Sequence, residues 1–403
     1  MARKMNQFMP IHKQDPFAWF REMRAEHPVY YDAETERWYV FRYRDVERVL
    51  MDYHQFSSEW AQRLAEDRPN QRRGVSFLTM DPPRHNQLRN IVAQVFTPKA
   101  ITQLSGRIQE IAQNLLYDMK QKGACDFVQD FSYPFPVTVI AELIGVPPSD
   151  RDLYRRWADS IGNGNEPDEE IEKARTQALD EMSDYFSGML RLRRQQPRED
   201  LMSRLLAAEV DGVHLTEEEL ISFCILLLFA GHETTKNLLA LAIMCFDEHP
   251  GTMEQLLRQP ELIPGAIEEV LRYRAILWGT FRLAKNDVLL GDQLIPAGDI
   301  VFAWMASANR DPERFSDPER FNIERAPGKH LAFGHGIHTC LGAPLTRLES
   351  AIALPMILEQ LPNLHVVPGT VTEPTTLTFL RRVNHLPIIF TPTASVHAVS
   401  SGI

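Results

Sequence analysis

The sequence predicts one mainly α-helical domain with small β-sheets, an α+β fold. Three observations carry this expectation. Apolar residues recur at helical spacing through most of 99–196 and again after residue 340. Residues 221–246 hold two apolar runs, ISFCILLLFAG and NLLALAIMCF, that read as a long buried helix. Two β-patterned pieces, RWYVFRY at 37–43 and VLLGDQLIPAGDIVFAWM at 288–305, read as a strand and as strand–turn–strand. No repeat, low-complexity tract or Gly/Ser linker divides the chain, so 1–403 reads as a single domain.

Along the chain, a helix is expected over Pro16–His27 and another from Asp45. Pro82–Pro83 stands where a third begins. The mostly helical stretch from Lys99 to Gln196 is broken by GVPPSD and by a polar loop at 162–170. In HLTEEEL, Thr216 and Glu219 have capping-box spacing and open the long helix. The prolines of 308–325 forbid a helix, leaving a meandering loop anchored by Phe315 and Phe321.

A net charge of −11 argues against general affinity for nucleic acid or anionic membranes. The four cysteines form no C-x-x-C pair and no signal peptide is evident, so a reduced cytoplasm is the expected setting and sulfur-bound zinc is unsupported. His232, Glu233 and Lys236 fall between the two apolar runs, where lipid would disfavour them, so no membrane anchor is expected.

Four stretches could carry chemistry. In AGHETTKN, a glycine, an acid and two threonines interrupt the apolar helix. A local opening there would place a hydroxyl, an acid and freed backbone groups beside a buried pocket, an arrangement suited to proton delivery. The alternative is a polar stripe facing solvent. Glu269 and Arg272, three apart on an expected helix, can pair. The third stretch is the loop at 308–325. The fourth, LAFGHGIHTCLG, puts Cys340 just before a helix N-terminus, where amides and the dipole favour a thiolate. Such a thiolate suits haem iron. A phosphate loop fails there because Thr339 replaces the third glycine, and His338 is badly oriented to serve a cysteine nucleophile. An inert buried cysteine stays open on these residues alone.

Taken together, and over roughly residues 80–390, these stretches resemble the cytochrome P-450 family of haem-thiolate monooxygenases. The haem-binding pattern F-G-x-G-x-(H/R)-x-C-x-G is met by Phe333, Gly334, Gly336, His338, Cys340 and Gly342. Ala230, Gly231, Glu233 and Thr234 meet (A/G)-G-x-(D/E)-T, and Glu269 and Arg272 meet E-x-x-R. In PERF, Arg320 would be the third member of a structural network with that pair.

The resemblance implies the family's fold, with haem b (iron protoporphyrin IX) held between the long helix and the Cys-bearing loop. Cys340 would be the axial iron ligand, and Glu233 and Thr234 would relay protons to dioxygen. His85, Arg89, Arg282 and His338 would hold the propionates. Phe77, Leu78, Leu226, Phe229, Ala230, Leu277, Trp278, Thr280, Phe379 and Leu380 would line an apolar substrate pocket.

The implied activity inserts one atom of O2 into a lipophilic small molecule, by hydroxylation or epoxidation. Electrons would come from NAD(P)H through a separate ferredoxin or flavodoxin and its reductase, since no flavin, nicotinamide or iron–sulfur fingerprint is present. The alternatives are a hydrogen-peroxide-dependent peroxygenase and a haem-based sensor; the Glu233–Thr234 pair argues against both. A monomer is expected. Arg325, Lys329, His330 and His335 make a locally basic segment that could dock an acidic redox partner.

Overall fold

The computed structural model describes residues 16–61, 77–162, 169–326, 328–370 and 380–393. Its longest element starts where the local signal predicts. The Glu219 amide donates to Thr216 Oγ1 at 3.2 Å, and the Thr216 amide donates to the Glu219 carboxylate at 2.9 Å. From this capping box a helix runs unbroken over Glu217–Glu248. The cap contributes about 1 kcal/mol, whereas each fully buried Leu or Ile contributes about 1.5–3 kcal/mol. Leu238, Leu239, Leu241 and Ile243 are all completely buried, so packing holds this helix and the cap fixes where it begins.

Two other helices grip it. Pro134–Ile144 crosses at Gly231, where a Cβ would sit only 2.6 Å from Ile140 Cδ1. Ala343–Gln360 crosses further on, with Thr235 Oγ1 3.3 Å from Thr346 Oγ1. Around them pack Arg84–Val95, Ser105–Met119, Arg151–Gly162, Glu169–Gln195 and Ile263–Tyr273. The polar stretch expected as a loop at 162–170 lies mostly outside the described residues. No described helix is long and apolar enough to cross a membrane.

Among the described residues, ten short strands flank the helices: β1 (Val29–Asp32), β2 (Arg37–Val40), β3 (Phe56–Ser57), β4 (Ala124–Asp126), β5 (Thr280–Ala284), β6 (Val288–Leu290), β7 (Gln293–Ile295), β8 (Ile300–Ala303), β9 (His365–Val366) and β10 (Pro387–Ile389). The largest sheet has the order β1-β2-β8-β5-β3, and only β2 and β8 run parallel, with Trp38 opposite Val301. A second sheet is β4-β10-β9, and β6-β7 is a hairpin.

The strand expected over 37–43 stops at Val40. The Tyr43 amide donates to the Asp311 carboxylate at 2.7 Å and opens the helix Tyr43–Met51. The strand–turn–strand at 288–305 is instead three strands. Gly291 (φ 58°) turns the hairpin, and Gly298 (φ 87°) redirects the chain so that β8 enters the large sheet. One face of that sheet carries an aromatic cluster of Phe20, Tyr39, Phe41, Trp278, Phe281, Phe302 and Trp304.

Candidate active site

The loop bearing Cys340 is built from backbone contacts. Asn309 Oδ1 accepts from the Leu331 amide at 2.6 Å, and the Cys340 amide donates to the Phe333 carbonyl at 2.8 Å. Gly334 and Gly336 take φ of 69° and 73°, as their expected turn requires. At Gly336 a Cβ would lie 2.7 Å from the Leu50 carbonyl oxygen, so the loop runs against the helix Tyr43–Met51 with no room for a side chain. The Gly342 and Ala343 amides face Cys340 Sγ at the head of Ala343–Gln360. Burial pushes the Cys340 thiol up, and those amides with Arg89 and Arg347 only partly offset the push. The residue is nonetheless accessible, although protein surrounds its thiol on most sides.

A cationic cluster stands nearby. His85 is fully buried, its ring 4.1 Å from that of His338, and its Nε2 has no hydrogen-bond partner among the described residues. His338 Nε2 lies 3.1 Å from the Met80 carbonyl, and burial together with His85 and Arg282 holds its imidazole down to about 3, hence neutral. Arg89 Nη2 donates to the Thr339 carbonyl at 2.7 Å. Arg282 is buried, donates to the Phe281 carbonyl at 2.8 Å, and is pulled down by burial to about 10. Neither arginine has a carboxylate partner within ion-pair distance among the described residues.

Two guanidiniums that act on the same pair of imidazoles without a carboxylate in ion-pair contact among the described residues, beside an orphaned imidazole nitrogen, are costly unless an anion joins them. A thiol faced by amides, a loop with glycine at 334, 336 and 342, and this cluster fit the iron and the two propionates of a haem.

The expected opening of the long helix is absent. The helix continues through 230–234, and Thr234 Oγ1 donates to the Ala230 carbonyl at 2.8 Å. Gly231 answers the close crossing with Ile140 and makes no break. The solvent-facing stripe is absent too, since His232, Glu233, Thr235, Lys236 and Asn237 are buried. Ala230, by contrast, is exposed in the middle of the helix, as a residue beside interior space would be. The Thr235–Thr346 contact, one residue past Thr234 and six past Cys340, ties the two motifs together.

Of the expected pocket residues, Leu277 and Leu380 meet in an isolated β-bridge. Phe77 stacks on His85 at 5.0 Å, Leu78 beside it is exposed, and Leu226, Phe229 and Thr280 are half-buried. Trp278 is buried within the aromatic cluster, whereas Leu277 packs against other core residues. Phe379 lies outside the described residues.

The Glu269–Arg272 pair is buried and bidentate, at 2.7 and 2.8 Å. The third member of the network is Arg325 and not Arg320. Arg325 Nε donates to Glu269 at 3.0 Å, whereas Arg320 supplies its carbonyl to Arg272 and keeps its side chain outside. A turn at Asp317, with φ of 45°, points the Arg320 carbonyl inward. The basic docking segment shrinks as a result. Arg325 is engaged inward, His330 Nε2 is 3.0 Å from Glu268 and His335 is 3.6 Å from Glu47, leaving Lys329 exposed.

The family model for Cytochrome P450 matches residues 5–145 and 167–386. Cyclomarin C epoxidase CymV of Salinispora arenicola is 43% identical over 352 residues, covering 86% of this chain and 89% of the relative. Cytochrome P450 monooxygenase PikC of Streptomyces venezuelae is 41% identical over 369 residues, covering 88% and 86%. The crystal structure of CYP109E1 from Bacillus megaterium with corticosterone matches at a TM-score of 0.87 and 39% identity, covering 94% of this chain and 99% of that one. Fold and relatives together define a haem-iron monooxygenase. The chain belongs to the cytochrome P450 family.

Proposed function

We propose that this enzyme inserts one oxygen atom from O2 into a lipophilic small molecule, by hydroxylation or epoxidation. NAD(P)H would supply the electrons through a separate ferredoxin or flavodoxin and its reductase. One observation carries the assignment of the site: the accessible Cys340 thiol lies under two amides, near the half-buried Arg89 and the buried Arg282, neither of which has a carboxylate in ion-pair contact among the described residues. Cys340 Sγ would hold the iron as thiolate, with Gly342 and Ala343 stabilising its negative charge. Arg89, Arg282, His85 and His338 would take the propionates.

The haem, when bound, supplies the iron at which dioxygen is activated. Thr234 and Glu233 would carry the protons this consumes. Leu277, Leu380 and Phe229 would present an apolar wall and exclude water. The relatives support the substrate class, since one is named an epoxidase and crystals of another hold corticosterone.

Reduction under carbon monoxide tests the ligand. The wild-type protein should show the Soret band that gives the family its name, and Cys340→His should move it to shorter wavelength while retaining haem. An unmoved band would remove Cys340 from the iron. Product formed from hydrogen peroxide as readily as from the reductase system would favour the peroxygenase.

A further inference from the structure

Three guanidiniums gather near the far end of the long helix. Arg274 caps Ile263–Tyr273, its amide donating to the Val270 carbonyl at 2.8 Å. Its guanidinium grips Glu248, the last residue of Glu217–Glu248. Arg310 lies 3.9 Å over the Tyr273 ring and donates to the Tyr273 carbonyl at 2.7 Å. Arg381 is placed by its own amide, which donates to the Ile276 carbonyl at 2.6 Å, next to the Leu277–Leu380 bridge.

Among the described residues two carboxylates serve these cations, and neither is spare. Glu319 is held by Arg310 at 2.6 Å and by Arg24 at 3.6 Å. Glu248 is near enough to act on Arg381 but is bound to Arg274. Cys245, on which Arg274 and Arg381 both act, adds no charge, because burial pushes its thiol up to about 12.

Arg381 is left over. Its side chain makes no hydrogen bond or ion pair among the described residues, and its Nη1 is shielded from solvent. The residue as a whole is half-buried, which leaves a way in for a small ion. Burial and Arg274 draw its guanidinium down to about 10, so it stays charged at neutral pH. A shielded N–H on an unbalanced charge is costly. A water could accept from it, but only an anion also balances the charge.

We infer that Arg381 and Arg274 hold a small monovalent anion of the halide class, with Arg381 Nη1 donating to it. A spherical ion matches one spare N–H and one excess charge; an oxyanion would bring several more oxygens in need of donors. The ion ties the chain that carries Leu380 to the ends of both helices.

Thermal melting of the haem-loaded protein in sodium bromide, with ionic strength held constant by sodium gluconate, reads the site. The melting temperature should rise by a few degrees and saturate. Arg381→Met should abolish the rise, and Arg381→Gln replaces it if that variant does not fold. Crystals of the haem-loaded protein grown in bromide should show an anomalous peak within hydrogen-bond distance of Arg381 Nη1. Absence of a saturable rise in the wild type overturns the inference, as does an equal rise in the variant. A peak without a saturable rise marks an adventitious ion only, and density at Nη1 without anomalous signal marks a water; either also overturns it.

Discussion

Arg325 Nε lies 3.0 Å from Glu269 Oε2, on the carboxylate that Arg272 already holds at 2.7 Å. Glu269 thus serves two guanidiniums and the Asn322 amide at 2.8 Å, while Arg272 gathers the carbonyls of Asn309, Pro318 and Arg320. A helix and the irregular chain of 308–325 are pinned through one buried carboxylate.

Deleting one cation here has a graded cost. Arg272→Ala strands Glu269 beside a single, partly exposed partner and should destabilise by about 3–5 kcal/mol. Arg325→Ala leaves the bidentate pair standing and, its carbonyl contacts being exposed, should lose about 1.5–3 kcal/mol, the range for a hydrogen bond to a charged group. Arg320→Ala keeps the carbonyl that matters and should change little. Urea denaturation of the three variants checks the order, and an Arg320 effect larger than that of Arg325 would reverse the assignment.

That network also marks the limit of what the sequence discloses. Thr216–Glu219 and Glu269–Arg272 are three residues apart on helices, so periodicity alone places each pair on one face. Arg325 lies in chain without periodicity, and nothing in its spacing tells it from Arg320. Strands β4 and β10 escaped for a related reason: three residues each, they pair across most of the chain, with Cys125 opposite Ile388. Cys340 and its glycines were legible because turn, amides and helix start are local.

Gly334 and Gly336 share a left-handed conformation but not a neighbourhood. A Cβ at Gly334 would meet nothing nearer than the His338 carbonyl at 3.6 Å, while one at Gly336 would press on Leu50 and Met51 backbone. Gly334→Ala should therefore cost only the conformational term, about 1–2 kcal/mol. Gly336→Ala adds a clash that backbone alone can relieve, so its melting temperature should fall further and its haem content drop. Equal losses in the two would show that Leu50 gives way.

Glu349 is buried on the helix that follows Cys340, and burial pushes its pKa up to about 8 although the Thr235 hydroxyl nearby works the other way. Below about 4.5, its ordinary value, folded and unfolded chains are both protonated and burial is harmless. As pH rises from there toward 8, the unfolded chain releases a proton that the folded one retains, so stability falls through that window. At pH 7 the loss is of the order of 3 kcal/mol. Glu349→Gln removes the titration, so its stability relative to wild type should improve steadily between pH 5 and 8. A difference independent of pH would mean that Glu349 is ionised in the folded protein.

Thr234 differs from these residues in that its loss should leave the fold alone. Its hydroxyl returns to the Ala230 carbonyl, a bond the helix does without, and alanine is the better helix former. Thr234→Ala should therefore keep its haem content and melting temperature. If the hydroxyl carries protons to the activated oxygen, electrons should drain into hydrogen peroxide at the expense of product, and Thr234→Ser should restore much of the coupling. The ratio of product to NAD(P)H consumed decides. An unchanged ratio with intact haem would leave Thr234 as a helix residue beside the pocket, and proton delivery would have to be sought among waters that Glu233 reaches by itself.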